Sequence, residues 1–302
     1  MSKKGSEESL EDELKILASI DNLTIVGQLH DINTYGLQTC INHEYTRIEG
    51  SLLAGKAKGT FFHGGTGGFY FEFDSIRAKA LNRRNFRLEY NPNNVTYDQK
   101  EFIKINLINK LDDISFSRCD LALDVNIDLS QYKIETPKAV KENLWLSASG
   151  KLETLYKGSP SSQHRIRMYD KKLERKDNVG LVIDGDWWRV EHQIRGKKVE
   201  SLLLSDFNAF QDMRIIAYDL NGIEGTWKEE KLLKYFLLTN DFSGMSSATI
   251  TRYKNKIKNI SGHDVVPKFQ EEIKKELPNL KREFEFWKPI PNFFEIYNRQ
   301  WY

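Results

Sequence analysis

The stretch Ser117-Arg-Cys-Asp-Leu-Ala-Leu-Asp-Val125 alternates between apolar and polar residues. Successive side chains of a β-strand point to opposite faces of the sheet, so this pattern predicts a strand with one buried face. The residues that share the other face are Arg118, Asp120, Ala122 and Asp124. The sequence therefore predicts a core strand that presents two carboxylates on its polar side.

Other segments have the same strand-like character. They are Asn22–Leu29, Phe69–Phe73, Phe86–Tyr90, Arg165–Tyr169 and Trp187–Ile194. The glycine cluster at 64–68 precedes one of them and is typical of a hairpin turn. It lacks the Lys-Ser/Thr end of a phosphate-binding loop, so nucleotide binding of that kind is not indicated.

Helical signals separate and follow these strands. Thr96 with Gln99 resembles a capping box that opens a helix to about Leu111. The other helix-like segments are Pro137–Asn143, Trp227–Leu238 and Ile273–Trp287, the last interrupted by Pro278. Strands punctuated by helices predict an α+β fold: a largely antiparallel sheet with helices packed on it and a helical C-terminal part.

The order of these segments predicts three regions. Residues 1–15 are expected to be a flexible tail, residues 16–200 an α+β region, and residues 201–302 a mainly helical region. A helical layer packed on the same sheet, giving one domain, is an equally open arrangement.

Composition limits the class of protein. The 302 residues are 39% hydrophobic and 29% charged, as in a folded globular chain. Two cysteines give no disulfide framework, and no apolar run approaches membrane-spanning length. A soluble protein of the reducing cytoplasm, with no membrane contact, is expected. The net charge of +2 does not by itself indicate a nucleic-acid binder.

Polar side chains of two predicted strands suit phosphodiester chemistry. Asp120 and Asp124 offer oxygen ligands of the kind that Mg²⁺ and Mn²⁺ prefer. A further set shares one face of the second strand: Arg189, Glu191, Gln193 and Arg195. Carboxylates for a metal and guanidiniums for phosphate are the required mixture. The alternative is a solvent-facing ladder of cross-strand ion pairs.

Tyr169 is the candidate nucleophile. On a strand it shares a face with Arg165 and Arg167, and Lys171 continues that line. A phenol has a pKa of about 10 and needs nearby cations or a base to become nucleophilic. The alternative is an ordinary amphipathic surface. His192 falls on the predicted core side and is interpreted as a packed histidine, while His164 is interpreted as isolated.

Six segments together resemble one family. The first is Arg167-Met-Tyr-Asp-Lys-Lys-Leu-Glu-Arg-Lys-Asp-Asn178, around the candidate nucleophile. The others are Leu23-Thr-Ile-Val-Gly27, Arg83-Arg-Asn-Phe-Arg-Leu-Glu-Tyr-Asn-Pro-Asn93, Arg118-Cys-Asp-Leu-Ala-Leu-Asp124, Trp188-Arg-Val-Glu191 and Arg252-Tyr-Lys-Asn255. In their sequences and in their order along the chain, these segments resemble the Rep_trans replication initiators of small rolling-circle plasmids from Gram-positive bacteria.

The resemblance implies a Mg²⁺- or Mn²⁺-dependent DNA strand transferase. Tyr169 would attack the origin phosphodiester, become linked to the 5′-phosphate and leave a 3′-hydroxyl primer. The implied metal ligands are Asp120, Asp124 and Glu191, and the implied catalytic groups around the tyrosine and its phosphate are Arg167, Lys171 and Arg189. Covalent linkage would later allow the strand to be rejoined without ATP.

The resemblance also implies that nicking and metal binding lie within residues 16–200, and that residues 201–302 contact origin DNA, the implied partner. A cluster of four cations without an intervening acid is expected to contact its phosphates: Arg252, Lys254, Lys256 and Lys258. The alternative is a solvated helix face. A homodimer is expected because rejoining requires a second nucleophile, and a host replicative helicase because nicking does not unwind DNA.

Two other functions stay open at this point. A relaxase of an integrative or conjugative element would use the same chemistry at a transfer origin. A DNA-binding regulator without catalysis would keep the fold, and its activity would not depend on Tyr169.

Overall fold

Strand β6, Leu111–Val125, lies near the middle of a ten-stranded sheet in the computed structural model of the chain. The structure describes residues 14–44, 47–62, 67–138, 140–203, 208–210, 213–219 and 225–288. Cys119, Leu121 and Leu123 are buried on one side of β6, as the alternation predicted. The predicted tail, residues 1–15, lies almost entirely outside the described residues.

Two antiparallel sheets contain the described strands. These are β1 Ile16–Leu29, β2 Arg47–Ser51, β3 Lys56–Phe61, β4 Phe69–Asp74, β5 Phe86–Tyr90, β6, β7 Tyr132–Glu135, β8 Glu142–Leu146, β9 Leu152–Lys157, β10 His164–Asp170, β11 Trp188–Arg195, β12 Arg214–Tyr218 and β13 Gly262–Asp264. The large sheet has the order β2-β3-β4-β5-β1-β6-β11-β10-β9-β8, and the small one β13-β12-β7.

The described α-helices fall between and after the strands. They are α1 Asp31–Glu44, α2 Ser75–Leu81, α3 Tyr97–Asn106, α4 Lys171–Val179, α5 Trp227–Thr239, α6 Ser247–Lys258 and α7 Val266–Phe286. The predicted α+β fold with a largely antiparallel sheet and C-terminal helices is confirmed. No described helix is both long and apolar enough to span a bilayer.

The apolar face of the large sheet holds the main core. Helix α7 packs there: Phe284 meets Phe116 edge-on at 4.8 Å, and Trp287 meets Tyr90 at 5.4 Å between ring centroids. The indole of Trp287 also donates a hydrogen bond to the Tyr90 hydroxyl. The last described helix is thus anchored on the first half of the chain.

Local signals located several elements correctly. The capping box of Thr96 and Gln99 opens α3, with both reciprocal hydrogen bonds present. Strands β3 and β4 pair as an antiparallel hairpin with Phe61 opposite Phe69. Residues 63–66 of the glycine-containing turn between them lie outside the described residues.

Two local predictions are wrong. The segment predicted as a helix at Pro137–Asn143 leads into strand β8, which pairs with β9 and packs Trp145 on Tyr156. Pro278 does not interrupt the last helix, because α7 continues through it. A proline removes one backbone hydrogen bond, and burial of α7 residues on both sides offsets that loss. They are Phe269, Ile273, Leu280 and Phe284.

The second half of the chain also contains strands. Strands β12 and β13 pair with each other, and β12 pairs with β7 from the first half. Helices α5 and α6 form a separate small core from Leu233, Phe236 and Tyr253. A domain boundary near residue 200 stays a prediction.

Candidate active site

The polar face of the large sheet places Tyr169 beside Glu191. Tyr169 lies on β10, where it pairs with Arg189 of β11, and only 3% of its surface is exposed. Its hydroxyl donates a hydrogen bond to Oε1 of Glu191 at 2.8 Å. The ammonium of Lys171 lies 3.4 Å from the same hydroxyl. The phenol therefore has both a proton acceptor and a cation within reach.

Electrostatics keep the phenol protonated in the free protein. Burial and the carboxylate of Glu191 raise the pKa of Tyr169 well above its usual value, although Arg189 and Arg167 oppose the shift. Burial and the charge of Asp21 raise the pKa of Glu191 itself. A carboxylate whose pKa is raised is a better proton acceptor. Glu191 is thus suited to accept the Tyr169 proton during attack.

Arg167 covers the ring of Tyr169. Its guanidinium carbon lies 3.9 Å from the ring centroid, and its Nη1 lies 3.7 Å from Glu191. About 30% of its side chain remains exposed. This guanidinium can therefore contact a phosphate brought to the phenol.

Lys171 lies at the start of a helix, whereas the sequence predicted that it continues the strand face of Tyr169. The strand ends at Asp170, whose side chain accepts a hydrogen bond from the backbone N–H of Leu173 and caps α4. Lys171 is the first residue of that helix, and Glu174 holds its ammonium at 2.9 Å. The helix cap, rather than strand alternation, directs Lys171 towards the phenol.

Arg189 is held by two acids. It makes a two-pronged ion pair with Asp124 at 2.5 and 2.6 Å and contacts Asp21 at 2.5 Å. Burial disfavours its charge, but the hydrogen bond with Asp124 and the charge of Asp21 raise the pKa of Arg189 overall. Arg189 therefore holds the two acids in place next to Tyr169 and has little hydrogen-bonding capacity left for a phosphate.

Sequence reasoning missed Asp21. Strand β1 has a bulge between Ile20 and Asn22, so Asp21 has no partner in the register with β6. A bulge re-aims a side chain, and the Asp21 carboxylate contacts Arg189 and Asn91. An acid within an apolar strand was the one available signal, and alternation alone could not place it.

The three predicted metal ligands share one face without forming one site. Asp120 and Asp124 lie four residues apart on β6, which in an extended strand is about 13 Å between Cα atoms, too far for one ion with bonds of about 2.1 Å. Glu191 pairs with Ala122, midway between them. Asp120 instead pairs with Arg118, and burial raises its pKa.

Within the described ranges, no three acidic, histidine or cysteine side chains come together to hold a metal ion. The positive charge between Asp21 and Asp124 is the Arg189 guanidinium. This arrangement does not fit a ready three-carboxylate metal centre.

His192 is packed in the core, as predicted, but His164 is not isolated. His192 is 2% exposed and tilts against Phe210, with ring centroids 5.9 Å apart. His164 Nδ1 lies 3.0 Å from His192 Nε2. Burial and the proximity of His164 lower the pKa of His192 to about 3, so His192 is neutral.

The predicted basic cluster lies on α6 but points in two directions. Residues three or four apart share a face of a helix. Arg252 therefore lies on the same face as Lys256, and Lys254 lies on the same face as Lys258. Lys256 is neutralised by Glu229 of α5 at 2.5 Å. Arg252, Lys254 and Lys258 are exposed. Three of the four cations are therefore accessible to a phosphate backbone.

Sequence comparisons match most of the chain. The family model described as "Replication initiation protein, N-terminal" matches residues 22–111, and the model described as "Replication initiation factor" matches residues 114–223. A replication initiation protein of Staphylococcus aureus is 32% identical over 280 residues, covering 89% of this chain and 86% of that protein. Another from the same species is 33% identical over 272 residues, covering 89% and 84%.

A rolling circle replication initiator protein from Geobacillus stearothermophilus has a solved structure that covers 81% of this chain and 97% of its own. Its sequence identity is 12% and its TM-score 0.39. This structural likeness is weak, and the sequence matches are the stronger finding.

Proposed function

We propose, on the premise that the chain belongs to the family of replication initiation proteins, that it starts rolling-circle replication by nicking one strand of a plasmid origin. The family resemblance noted in the sequence is confirmed by the family models and the staphylococcal relatives. The contact that most supports nicking is the 2.8 Å hydrogen bond from the Tyr169 hydroxyl to Glu191, next to Lys171 and Arg167.

In the proposed reaction Tyr169 is the nucleophile and Glu191 the general base. The phenol oxygen forms a bond to the scissile phosphorus while its proton passes to the Glu191 carboxylate. The bond from phosphorus to the 3′-oxygen breaks, and the leaving oxygen takes a proton from solvent. The products are a 5′-phosphotyrosine and a free 3′-hydroxyl, and the reverse reaction rejoins the strand.

Cations beside the phenol would stabilise the phosphate as charge develops on it. Arg167 is partly exposed and lies against the ring, and the ammonium of Lys171 is 3.4 Å from the hydroxyl. Positioned cations in a partly buried site lower the free energy of such a transition state. Arg189 would act by holding Asp21 and Asp124 in place.

A divalent cation, Mg²⁺ or Mn²⁺, stays part of the proposal because the family resemblance implies it. Such an ion would polarise the phosphate and stabilise the leaving oxygen. Asp120, Asp124 and Glu191 are the ligands that the resemblance implies. Asp120 and Asp124 lie too far apart to share one ion, so Glu191 would have to join one of them, and the arginine pairing of that aspartate would have to change. Glu191 would then be a ligand in place of its role as the base. The ion would act on the phosphate and on the leaving oxygen, whereas the proton transfer from Tyr169 to Glu191 involves protein groups alone.

Origin recognition is proposed for α6. Its accessible cations, Arg252, Lys254 and Lys258, would contact phosphates, with Lys256 released from Glu229 on binding. A homodimer would supply the second nucleophile needed for rejoining, and a host helicase would unwind the nicked plasmid. These partners place the activity in the cytoplasm, where plasmid DNA is found.

The test uses supercoiled origin plasmid with Mg²⁺, and denaturing gels that detect protein attached to the nicked strand. Wild-type protein is expected to form the adduct, and Tyr169→Phe is expected to form none. Tyr70→Phe is a matched control, because the Tyr70 hydroxyl donates to Glu72 at 2.8 Å on the same sheet face. An adduct that persists in Tyr169→Phe would remove the nucleophile assignment. Mass spectrometry of the linked peptide identifies the attached residue.

A further inference from the structure

The outer strands of the large sheet carry a cluster of aromatic and guanidinium groups that the proposed reaction does not use. Trp145 of β8 meets Tyr156 of β9 edge-on, with ring centroids 5.2 Å apart. The guanidinium of Arg165 lies over the ring of Tyr156, 4.1 Å from its centroid. We call Trp145, Tyr156 and Arg165 the β8–β10 patch.

The β8–β10 patch lies on the same face as the phenol. Trp145 pairs with Thr154 of β9, and Thr154 pairs with Tyr169 of β10. Neighbouring strands lie about 4.8 Å apart, so Trp145 is about 10 Å across the sheet from Tyr169. A DNA strand whose phosphate lies at the phenol would therefore pass close to Trp145.

Trp145 is open to solvent. Half of its surface, 50%, is exposed, although tryptophan is usually largely buried. Its neighbours Leu144 and Leu146 point to the opposite face and line a cavity that also contains Leu152 and Leu155. The exposed indole is therefore separate from that apolar cavity and belongs to the polar face.

Two guanidiniums of this face, those of Arg165 and Arg195, differ from the others in lacking an acidic partner among the described residues. Other guanidiniums there are paired: Arg189 with Asp124, Arg118 with Asp120 and Arg87 with Glu72. In the described part of the chain, Arg165 and Arg195 make no ion pair with an acid. Their Nε atoms are buried without a hydrogen-bond acceptor. An anion is the chemical group that would satisfy this pair.

We infer that the β8–β10 patch binds single-stranded DNA beside the scissile phosphate: an unpaired base stacks on Trp145, and a neighbouring phosphate contacts Arg165 and Arg195. Proteins usually hold single strands by combining positive charge, which contacts the phosphates, with aromatic side chains, which stack on the bases. Every unpaired base has a face that can stack in this way. Base pairs in a duplex do not offer that face. The position of this strand relative to the nick rests on the proposed function of Tyr169.

The test measures binding of a fluorescently labelled oligothymidine by anisotropy, in EDTA so that no cleavage occurs. Trp145→Ala is expected to weaken binding roughly 5- to 150-fold, the loss of one stacked base. Trp145→Phe keeps an aromatic face and is expected to retain most of the affinity. Trp227→Ala is the matched control, because Trp227 is 69% exposed and lies 5.8 Å from a lysine ammonium on α5.

Arg165→Gln tests the phosphate contact separately. It is expected to lower the slope of log affinity against log salt by about 0.7, the change that corresponds to one fewer neutralised phosphate on a single strand. Its thermal unfolding midpoint serves to exclude a folding defect, as does that of Trp145→Ala.

Unchanged oligothymidine affinity in Trp145→Ala would overturn the inference, as would an equal loss in Trp227→Ala. A changed oligomeric mass with unchanged DNA affinity would identify the β8–β10 patch as a protein contact instead. These measurements need no nucleophile, so single-strand binding that depends on Trp145 without any adduct at Tyr169 would refute the proposed function alone.

Discussion

Replacing Glu191 with glutamine separates general-base catalysis from every other role of this side chain. The glutamine side chain would keep the shape and could still accept the Tyr169 hydrogen bond, which is 2.8 Å long in the wild type, but it could not take the proton. General-base catalysis contributes about 10²- to 10⁴-fold in rate, so adduct formation by Glu191→Gln is expected to slow by that factor. Glu72→Gln, which alters the equivalent acceptor of Tyr70, is expected to nick normally.

The pH dependence of the nicking rate is an independent test of Glu191 as the general base. The Glu191 carboxylate must be ionised to accept a proton, and its pKa is raised above 4.5 by burial and by Asp21. The nicking rate of the wild type is therefore expected to rise with pH through the raised pKa of Glu191. The corresponding rise should be absent in Glu191→Gln.

The stability of the wild type should fall over the pH range in which its nicking rate rises. An acid whose pKa is raised on folding binds protons more tightly in the native state, so its ionisation costs stability as pH increases from about 4.5 through the raised pKa. Glu191→Gln removes that cost, and its unfolding midpoint at neutral pH is expected to equal or exceed that of the wild type. The difference should disappear in acid.

Two results would refute the assignment of Glu191 as the base. The first is adduct formation by Glu191→Gln within a few-fold of the wild-type rate, which would exclude this role directly. The second is recovery of the variant at high Mn²⁺, which would identify Glu191 as a metal ligand instead. Single-turnover rates on supercoiled origin plasmid, measured across pH and metal concentration, distinguish these outcomes.

The buried ion pairs, the metal and helix α6 each give one further prediction. Arg189→Ala leaves Asp21 and Asp124 without their shared cation, and thermal or urea unfolding is expected to show a loss of about 3–5 kcal/mol; an unchanged midpoint would contradict the buried pairing. EDTA is expected to abolish adduct formation but not duplex binding, with Mg²⁺ or Mn²⁺ restoring it; nicking that survives chelation would exclude the metal. Arg252→Gln is expected to lower the salt slope of origin-duplex binding by about 0.9 and to weaken binding more than Lys256→Gln does, because Lys256 must first leave Glu229; equal losses of affinity would contradict the accessible-cation assignment.

Period-two alternation was enough to predict much of the sheet face. It identified β6, β10 and β11 and placed Tyr169 and Glu191 on their polar sides. Alternation is a property of consecutive residues, so it requires no knowledge of the strand's neighbours. The capping box at Thr96 was readable for the same reason. The family resemblance came from short segments in order and needed no contacts at all.

Other features depended on pairings between distant parts of the chain. The order β6-β11-β10 brings Glu191 to Tyr169 and places Arg189 against Asp124, and no local pattern specifies which strands become neighbours. The bulge that turns Asp21 towards Arg189 exists only through the pairing of β1 with β6.

Periodicity and local motifs were sufficient to establish the fold class, the family and the residues that face the polar side of the sheet. The contacts among those residues follow from the folded chain: Glu191 accepts the hydrogen bond of the phenol, the helix cap at Asp170 directs Lys171 towards it, and the Arg189 guanidinium lies between Asp21 and Asp124. Strand order and register are set by packing the whole core at once. The chemistry proposed for this site therefore depends on the pairing of strands that are distant in the sequence.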